Sequence, residues 1–281
     1  MFNYFDVYCN FGNEGGELMD VREVMKRPIK VDKDRKLSDA IKLMEKKGVL
    51  RLPVVNDGKL LGVLTVSKII EKIGDPRSLD LDVSSFRISS SITKNPYTIS
   101  AEDNIKKALD FFRSDYISIL PVVEGDEMVG MITRKHMIPL VESKVTIGDA
   151  MTKKYSTLSW GDRVIHARKQ YLEEGIRYFA VKSQNNAYVG LISVKDLLFG
   201  LYKFRKTINA KRHPETLIKE FKVEEILTRE PEMLDPNVPL ETLRKQIVKK
   251  TQFAYPVSNI SQDIAGFIGH HEILLNSEVR A

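Results

Sequence analysis

Apolar residues recur at i, i+3, i+4 and i+7 in four places along the chain, and each time two short apolar runs follow. The first stripe is Leu37, Ala40, Ile41 and Met44; the second is Ile105, Ala108, Leu109 and Phe112. Each predicts an amphipathic helix with one buried face. The third and fourth stripes, Val164, Ala167, Arg168, Tyr171 and Leu240, Leu243, Arg244, Ile247, both carry a guanidinium, so the second half is less regular. Behind the first helix, Leu52 to Val55 and Leu60 to Leu64 flank Asn56-Asp57-Gly58, which predicts a strand pair joined by a hairpin turn.

Landmarks hold the four units in register. Met25, Ile92, Met151 and Leu227 open them, and strand residues Val31, Ile99, Leu158 and Leu234 follow. Nine residues later stand Ala40, Ala108, Ala167 and Leu243; thirteen further on, Pro53, Pro121, Ala180 and Pro256; nine or ten beyond those, Gly62, Gly130, Gly190 and Gly266. Each unit reads strand, helix, strand, strand, helix. A unit of about 55 residues with one apolar helical face does not bury that face alone, so neighbouring copies are expected to pair into two domains. Gly74-Asp-Pro-Arg-Ser-Leu-Asp and the stretch from Arg205 to Lys222 lack apolar periodicity and predict joints. The resulting division is a leader over 1–19, repeats over 20–73, 86–142 and 143–204, a connection over 205–220, and a last repeat over 221–277.

Composition narrows the classes. The chain has 281 residues, 42% hydrophobic and 29% charged, which excludes a disordered chain and a single small domain. No apolar stretch approaches the ~20 residues of a membrane span. One cysteine, Cys9, makes neither an internal disulfide nor a zinc cage, and the cytoplasm is the expected compartment. A net charge of +6 favours an anionic partner. The cluster Lys203, Arg205, Lys206, Lys211 and Arg212 raises nucleic acid, but aromatic interleaving and a helix-turn-helix pattern are missing, which argues against it.

The runs "RLPVVNDGKLLGVLTVSKII", "ILPVVEGDEMVGMITRKHMI", "YFAVKSQNNAYVGLISVKDLL" and "AYPVSNISQDIAGFIGHHEIL" resemble the CBS family, the small modules named after cystathionine beta-synthase, from about residue 20 to the end. The resemblance implies an α/β (α+β) fold of four β-α-β-β-α repeats, paired into two Bateman modules packed as a disc. The architecture resembles the gamma subunit of AMP-activated protein kinase. It implies a non-enzymatic sensor that binds AMP, ADP or ATP in clefts between paired repeats and acts on a regulated protein whose identity is not readable; a homodimer stays open.

Candidate ligand residues surround the start of each unit's final helix, where unpaired N–H groups and the helix dipole suit a phosphate. Three residues after the glycines stand Thr65, Thr133, Ser193 and Gly269; six after stand Lys68, His136, Asp196 and Glu272. The family pattern has a ribose-holding Asp at the latter position, and only Asp196 matches it. Ser193-Val-Lys-Asp196 is also a capping box, so a dual role is open. Lys68 and His136 replace paired acceptors by donors that suit phosphate. Lys135 and Lys195 match a phosphate-reaching position, with a solvated helix face as the alternative. Arg51 and Arg177 match phosphate-contacting strand positions. By the same resemblance Asp196 faces Met233, Phe253 and Ala254; Thr157, Arg177 and Tyr178 complete the cleft of Glu272; and Arg51 with Val31 faces Thr133.

No catalytic pattern accompanies these residues. His270-His271-Glu272 points adjacent side chains apart on a helix and is expected to carry solvated histidines. Other readings are an S-adenosylmethionine-type sensor and a structural interaction disc with vestigial clefts.

Overall fold

In a computed structural model the described residues are 19–280 apart from 80, 115–116, 209–213, 251 and 260–262. Cys9, Lys211, Arg212 and the expected leader apart from Met19 lie outside them. Repeat 1 runs from strand Val31–Asp32 through a lead helix Leu37–Lys47 and a hairpin Arg51–Asn56/Lys59–Thr65 to a closing helix Val66–Ile73. Its turn uses positive φ at Asp57 (48°) and Gly58 (83°), the conformation a two-residue hairpin requires. Repeat 2 repeats the order with Ile99–Ser100, Ile105–Ser114, Ile119–Glu124, Glu127–Thr133 and a short closing helix Arg134–Met137. Repeat 3 has Ser156–Ser159, Val164–Lys169, Tyr178–Lys182, Tyr188–Ser193 and a long closing helix Val194–Ile208. In repeat 4 a single parallel bridge, Leu234 to Val257, stands for the first strand, followed by Leu240–Ile247, Tyr255–Ser258, Ile264–Ile268 and His270–Leu275.

Sheets join repeat 1 to 2 and repeat 3 to 4 by reciprocal exchange. The segment entering each repeat crosses to the last strand of its partner: Ile92–Lys94 pairs with Lys59–Thr65, and Thr228–Arg229 with Tyr188–Ser193. In return Lys26 bridges Met131, and Thr152 bridges Phe267. Close approach at these crossings explains the four register glycines. A Cβ at Gly62 would collide with Ile92, at Gly130 with Met25, at Gly190 with Leu227 and at Gly266 with Met151. The two sets of sequence landmarks are thus one structural feature, a backbone crossing that admits no side chain.

Helical faces pair differently from expectation. Lead and closing helices of repeat 1 share one core with those of repeat 3, including Leu37, Ile41, Met44 and Ile69 with Val164, Leu197, Leu198 and Leu201. Repeat 2 shares a second core with repeat 4, including Leu109, Phe112 and Met137 with Leu240, Leu243 and Ile273. Neighbouring copies therefore meet through their sheets, and the apolar helix faces are buried between modules.

The stripe arginines belong to this inter-module contact. Arg168 donates from Nε to the Ile70 carbonyl (3.3 Å) and from Nη2 to that of Glu71 (3.2 Å), at the end of repeat 1's closing helix. Arg244, fully buried, donates to the Ile138 carbonyl (2.9 Å) just past repeat 2's closing helix, and bidentately to Glu241 (2.6 and 2.5 Å). Arg113 of repeat 2 donates to the Leu274 carbonyl (3.2 Å) and to that of Ser277 at the end of repeat 4. Helix C-termini leave carbonyls without partners and carry negative dipole charge, so a guanidinium satisfies both needs.

The expected connection over 205–220 is largely helical. Repeat 3's closing helix continues to Ile208, and a further helix spans Pro214–Glu220. Arg205 is fully buried and donates to the carbonyls of Ile73 (2.5 Å), Ser78 (2.8 Å) and Leu81 (2.7 Å) in the joint after repeat 1. Lys203 pairs with Glu45 at 3.6 Å. The basic cluster of the sequence is therefore not one free basic face.

Candidate functional site

At the N-terminus of Val194–Ile208, a cavity of about 260 Å³ opens between repeats 3 and 4. It is lined by Leu191, Ser193, Lys195, Asp196, Thr228, Gln252, Phe253 and Ala254. Ser193 N–H and Oγ donate to Asp196 Oδ2 at 2.8 and 2.6 Å, and Asp196 N–H returns a bond to Ser193 Oγ at 3.4 Å. That is the capping box. The other carboxylate oxygen, Oδ1, accepts from Thr228 Oγ1 at 3.1 Å, across the crossing strand of repeat 4. One side chain thus closes a helix end and presents an acceptor edge in a cavity whose other wall is apolar.

Thr228, Leu191 and Gln252 belong to this cavity although the motif did not single them out. The signal for Thr228 was present in outline, since it follows the landmark Leu227 that packs on Gly190. Gln252 is held by its own backbone, its Nε2 donating to the Ala254 carbonyl at 2.9 Å. Met233 is not in the lining; it packs against the sheet cluster of Tyr178, Ala180, Leu191, Ala254, Ile264 and Phe267.

The corresponding place at repeat 4's closing helix is closed. Glu272 is 4% exposed, and its Oε2 accepts from Gly269 N–H (2.9 Å) and from Tyr178 Oη (3.2 Å). Burial raises the carboxyl above its ordinary range, opposed by the backbone bonds and by the charge of Arg134. Burial, then the Glu272 charge, raises the Tyr178 phenol well above its own. The Tyr178 ring stacks on Phe267 with centroids 5.4 Å apart and planes 14° off parallel. Thr157 is not part of this group. It lines a separate cavity of about 390 Å³ with Trp160, Lys182 and Asn186 at the outer end of repeat 3.

Cations from repeats 1, 2 and 3 gather near Glu272 of repeat 4. Arg134, the first residue of repeat 2's closing helix, is buried; desolvation and the charge of Arg177 bring its guanidinium down to about 9, against the pull of Glu272 and with Arg51 adding to the decrease. Tyr171, raised by burial, feels Arg177 and Arg51 as well. Arg134 escaped the sequence reading because its neighbour Lys135 occupies the position the family pattern marks; Lys135 is exposed.

The module of repeats 1 and 2 lacks the carboxylate. Thr65 Oγ1 accepts from Lys68 N–H (3.4 Å), while Lys68 reaches out to Glu71 (2.9 Å). In repeat 2 His136 completes the cap: Thr133 N–H donates to its Nδ1 at 3.3 Å, and its N–H donates to Thr133 Oγ1 at 3.4 Å. Burial, then Lys26 and Lys135, brings this imidazole down to about 4. His270 and His271 are likewise half-buried, not solvated as expected, and burial pushes both to about 4, with Arg134 contributing. Among the described residues no group of His, Cys, Asp or Glu is arranged to hold a metal ion.

The family model for the CBS domain matches residues 21–75 and 87–143. Each of these two segments is a CBS domain. Those two segments are repeats 1 and 2, the regular half of the molecule. An inosine-5'-monophosphate dehydrogenase of Korarchaeum cryptofilum is 30% identical over 113 residues, covering 40% of this chain and 24% of that enzyme. An uncharacterized protein of Methanocaldococcus jannaschii is 28% identical over 156 residues, 45% of this chain and 93% of that one. The chain thus aligns with about a quarter of the dehydrogenase and with nearly all of the small archaeal protein.

Among solved structures, a Methanocaldococcus jannaschii protein proposed as an archaeal homologue of g-AMPK superposes with a TM-score of 0.75. The match has 20% identity and covers 91% of this chain and 99% of that one. An uncharacterized conserved protein of Pyrococcus horikoshii superposes at 0.58, also at 20% identity, over 91% and 98%. The fold of four CBS repeats in two Bateman modules extends over the irregular half. No helix among the described residues is long and apolar enough to cross a membrane.

Proposed function

We propose that this CBS protein is a non-enzymatic regulator that holds an adenosine nucleotide, AMP, ADP or ATP, in the cleft between repeats 3 and 4. The observation that carries the reading is Asp196. Its Oδ1 stands in a cavity of about 260 Å³ with Thr228, while Leu191, Phe253 and Ala254 supply an apolar wall suited to a flat base. A ribose diol needs a fixed pair of acceptors, and the cap on Oδ2 holds the carboxylate still without spending Oδ1 on the helix. Lys195 at the helix start and the positive end of the helix dipole favour a phosphate beside the ribose.

Occupancy of a cleft shared by two repeats would act on a partner protein by changing which arrangement of the modules is favoured. Isothermal titration calorimetry with AMP, ATP, adenosine and S-adenosylmethionine at two salt concentrations tests the reading. The phosphorylated ligands are expected to bind more tightly than adenosine and to weaken with salt, since exposed charge contacts are screened. Equal affinity for adenosine overturns the phosphate assignment. Tighter binding of S-adenosylmethionine replaces the nucleotide by a sulfonium ligand.

A further inference from the structure

Ala254 and Tyr178 occupy the same register position, two residues before the landmarks Pro256 and Ala180. Ala254 lines the open cavity at Asp196. Tyr178, in the mirrored place, fills the corresponding space at Glu272 and is 7% exposed. A second pair of differences accompanies the first. Ser193, whose Oγ gives Asp196 its second bond on one oxygen, is matched in repeat 4 by Gly269, which has no hydroxyl. There Tyr178 Oη makes that bond instead, on the Glu272 oxygen that also accepts from Gly269 N–H. A Cβ at Gly269 would lie 3.0 Å from Tyr178 Oη, so a side chain at this position and the phenol compete for one space.

From this exchange we infer that Tyr178 is a built-in occupant of the fourth cleft. Its ring takes the room of a ligand, and its hydroxyl takes the carboxylate that would hold a ribose. The second module is thereby limited to one nucleotide, at Asp196. The inference rests on the nucleotide reading above for the identity of the ligand, but the plug itself rests on the Tyr178, Gly269 and Glu272 geometry.

Native mass spectrometry with AMP at saturation tests it on the full chain. Tyr178→Ala with Gly269→Ser, which rebuilds the repeat 3 pattern, is expected to bind one more AMP per chain than the parent, and adding Glu272→Ala is expected to remove that gain. Cooperative thermal melting checks that each variant folds. A folded variant that keeps the parent's count overturns the plug. A parent with no bound AMP and a variant with one supports the plug while removing the Asp196 reading, so the two failures are distinct. Should the variants not fold, nitration of the parent with tetranitromethane decides: Tyr178 protected with and without AMP supports the plug, and AMP-dependent nitration of Tyr178 overturns it.

Discussion

The module of repeats 1 and 2 and the module of repeats 3 and 4 share a topology but divide the work. The first has uninterrupted apolar stripes and matches the CBS family model, yet its two helix starts carry Lys68 and His136 where an acceptor pair is needed. The second breaks its stripes with Arg168 and Arg244 and departs from the pattern at Gly269, yet it holds the cavity at Asp196. Regularity therefore reports core building. Departure from it marks places where a side chain serves something outside its own repeat: Arg168 and Arg244 satisfy carbonyls of the other module, and Tyr178 completes a carboxylate of its neighbour.

If irregular residues tie the modules together, removing one should cost more than any surface change. Arg205→Ala leaves two buried carbonyls, those of Ile73 and Ser78, and the part-buried carbonyl of Leu81 without their cationic donor and is expected to lower stability by about 3 kcal/mol, measured by urea unfolding. A loss under about 0.5 kcal/mol, the scale of an ordinary surface substitution, would break the comparison.

Acid should act next. His136, His270 and His271 are held near 4 by burial, below the ordinary value of 6.5, so they are neutral in the fold and charge more readily when unfolded. Their contribution is fully present above pH 6.5 and is lost as pH falls from 6.5 towards 4. Each pH unit across that window costs up to about 1.4 kcal/mol per histidine. Thermal melting from pH 7 to 4 should show the decline, and His271→Gln should flatten it; a flat profile in the parent would contradict the burial of these rings.

Asp196→Ala separates the two roles of that side chain. Affinity for AMP is expected to fall about ten- to a hundredfold, the loss of one or two charge-assisted bonds, whereas removing the cap costs only about 1 kcal/mol of stability. A drop in melting temperature with unchanged affinity would make Asp196 a cap alone. The smallest effect is expected at Arg22, which pairs with Glu124 at 2.8 Å with both side chains about half exposed. Arg22→Ala should move stability by less than about 0.5 kcal/mol, and a larger shift would show that exposed pairs within the regular module also matter.

Four units, their element order and the hairpin at Asp57-Gly58 were readable because they depend on local periodicity and turn chemistry, which neighbouring residues settle among themselves, whereas the candidacy of Asp196 came from the resemblance to the CBS pattern, its local motif reading equally as a helix cap. The glycine landmarks were readable as positions, but their cause was not, since the colliding side chain at Gly62 comes from Ile92, thirty residues away in a crossing strand. Which helix faces pair was decided only in three dimensions. An apolar stripe states that a face is buried and carries no address for the partner, so the pairing of repeat 1 with 3 and of repeat 2 with 4 depends on how the sheets cross. The same holds for the arginines and for Tyr178: a sequence shows a guanidinium in a stripe or a phenol on a strand, but only the tertiary structure supplies the carbonyl or carboxylate that each one meets.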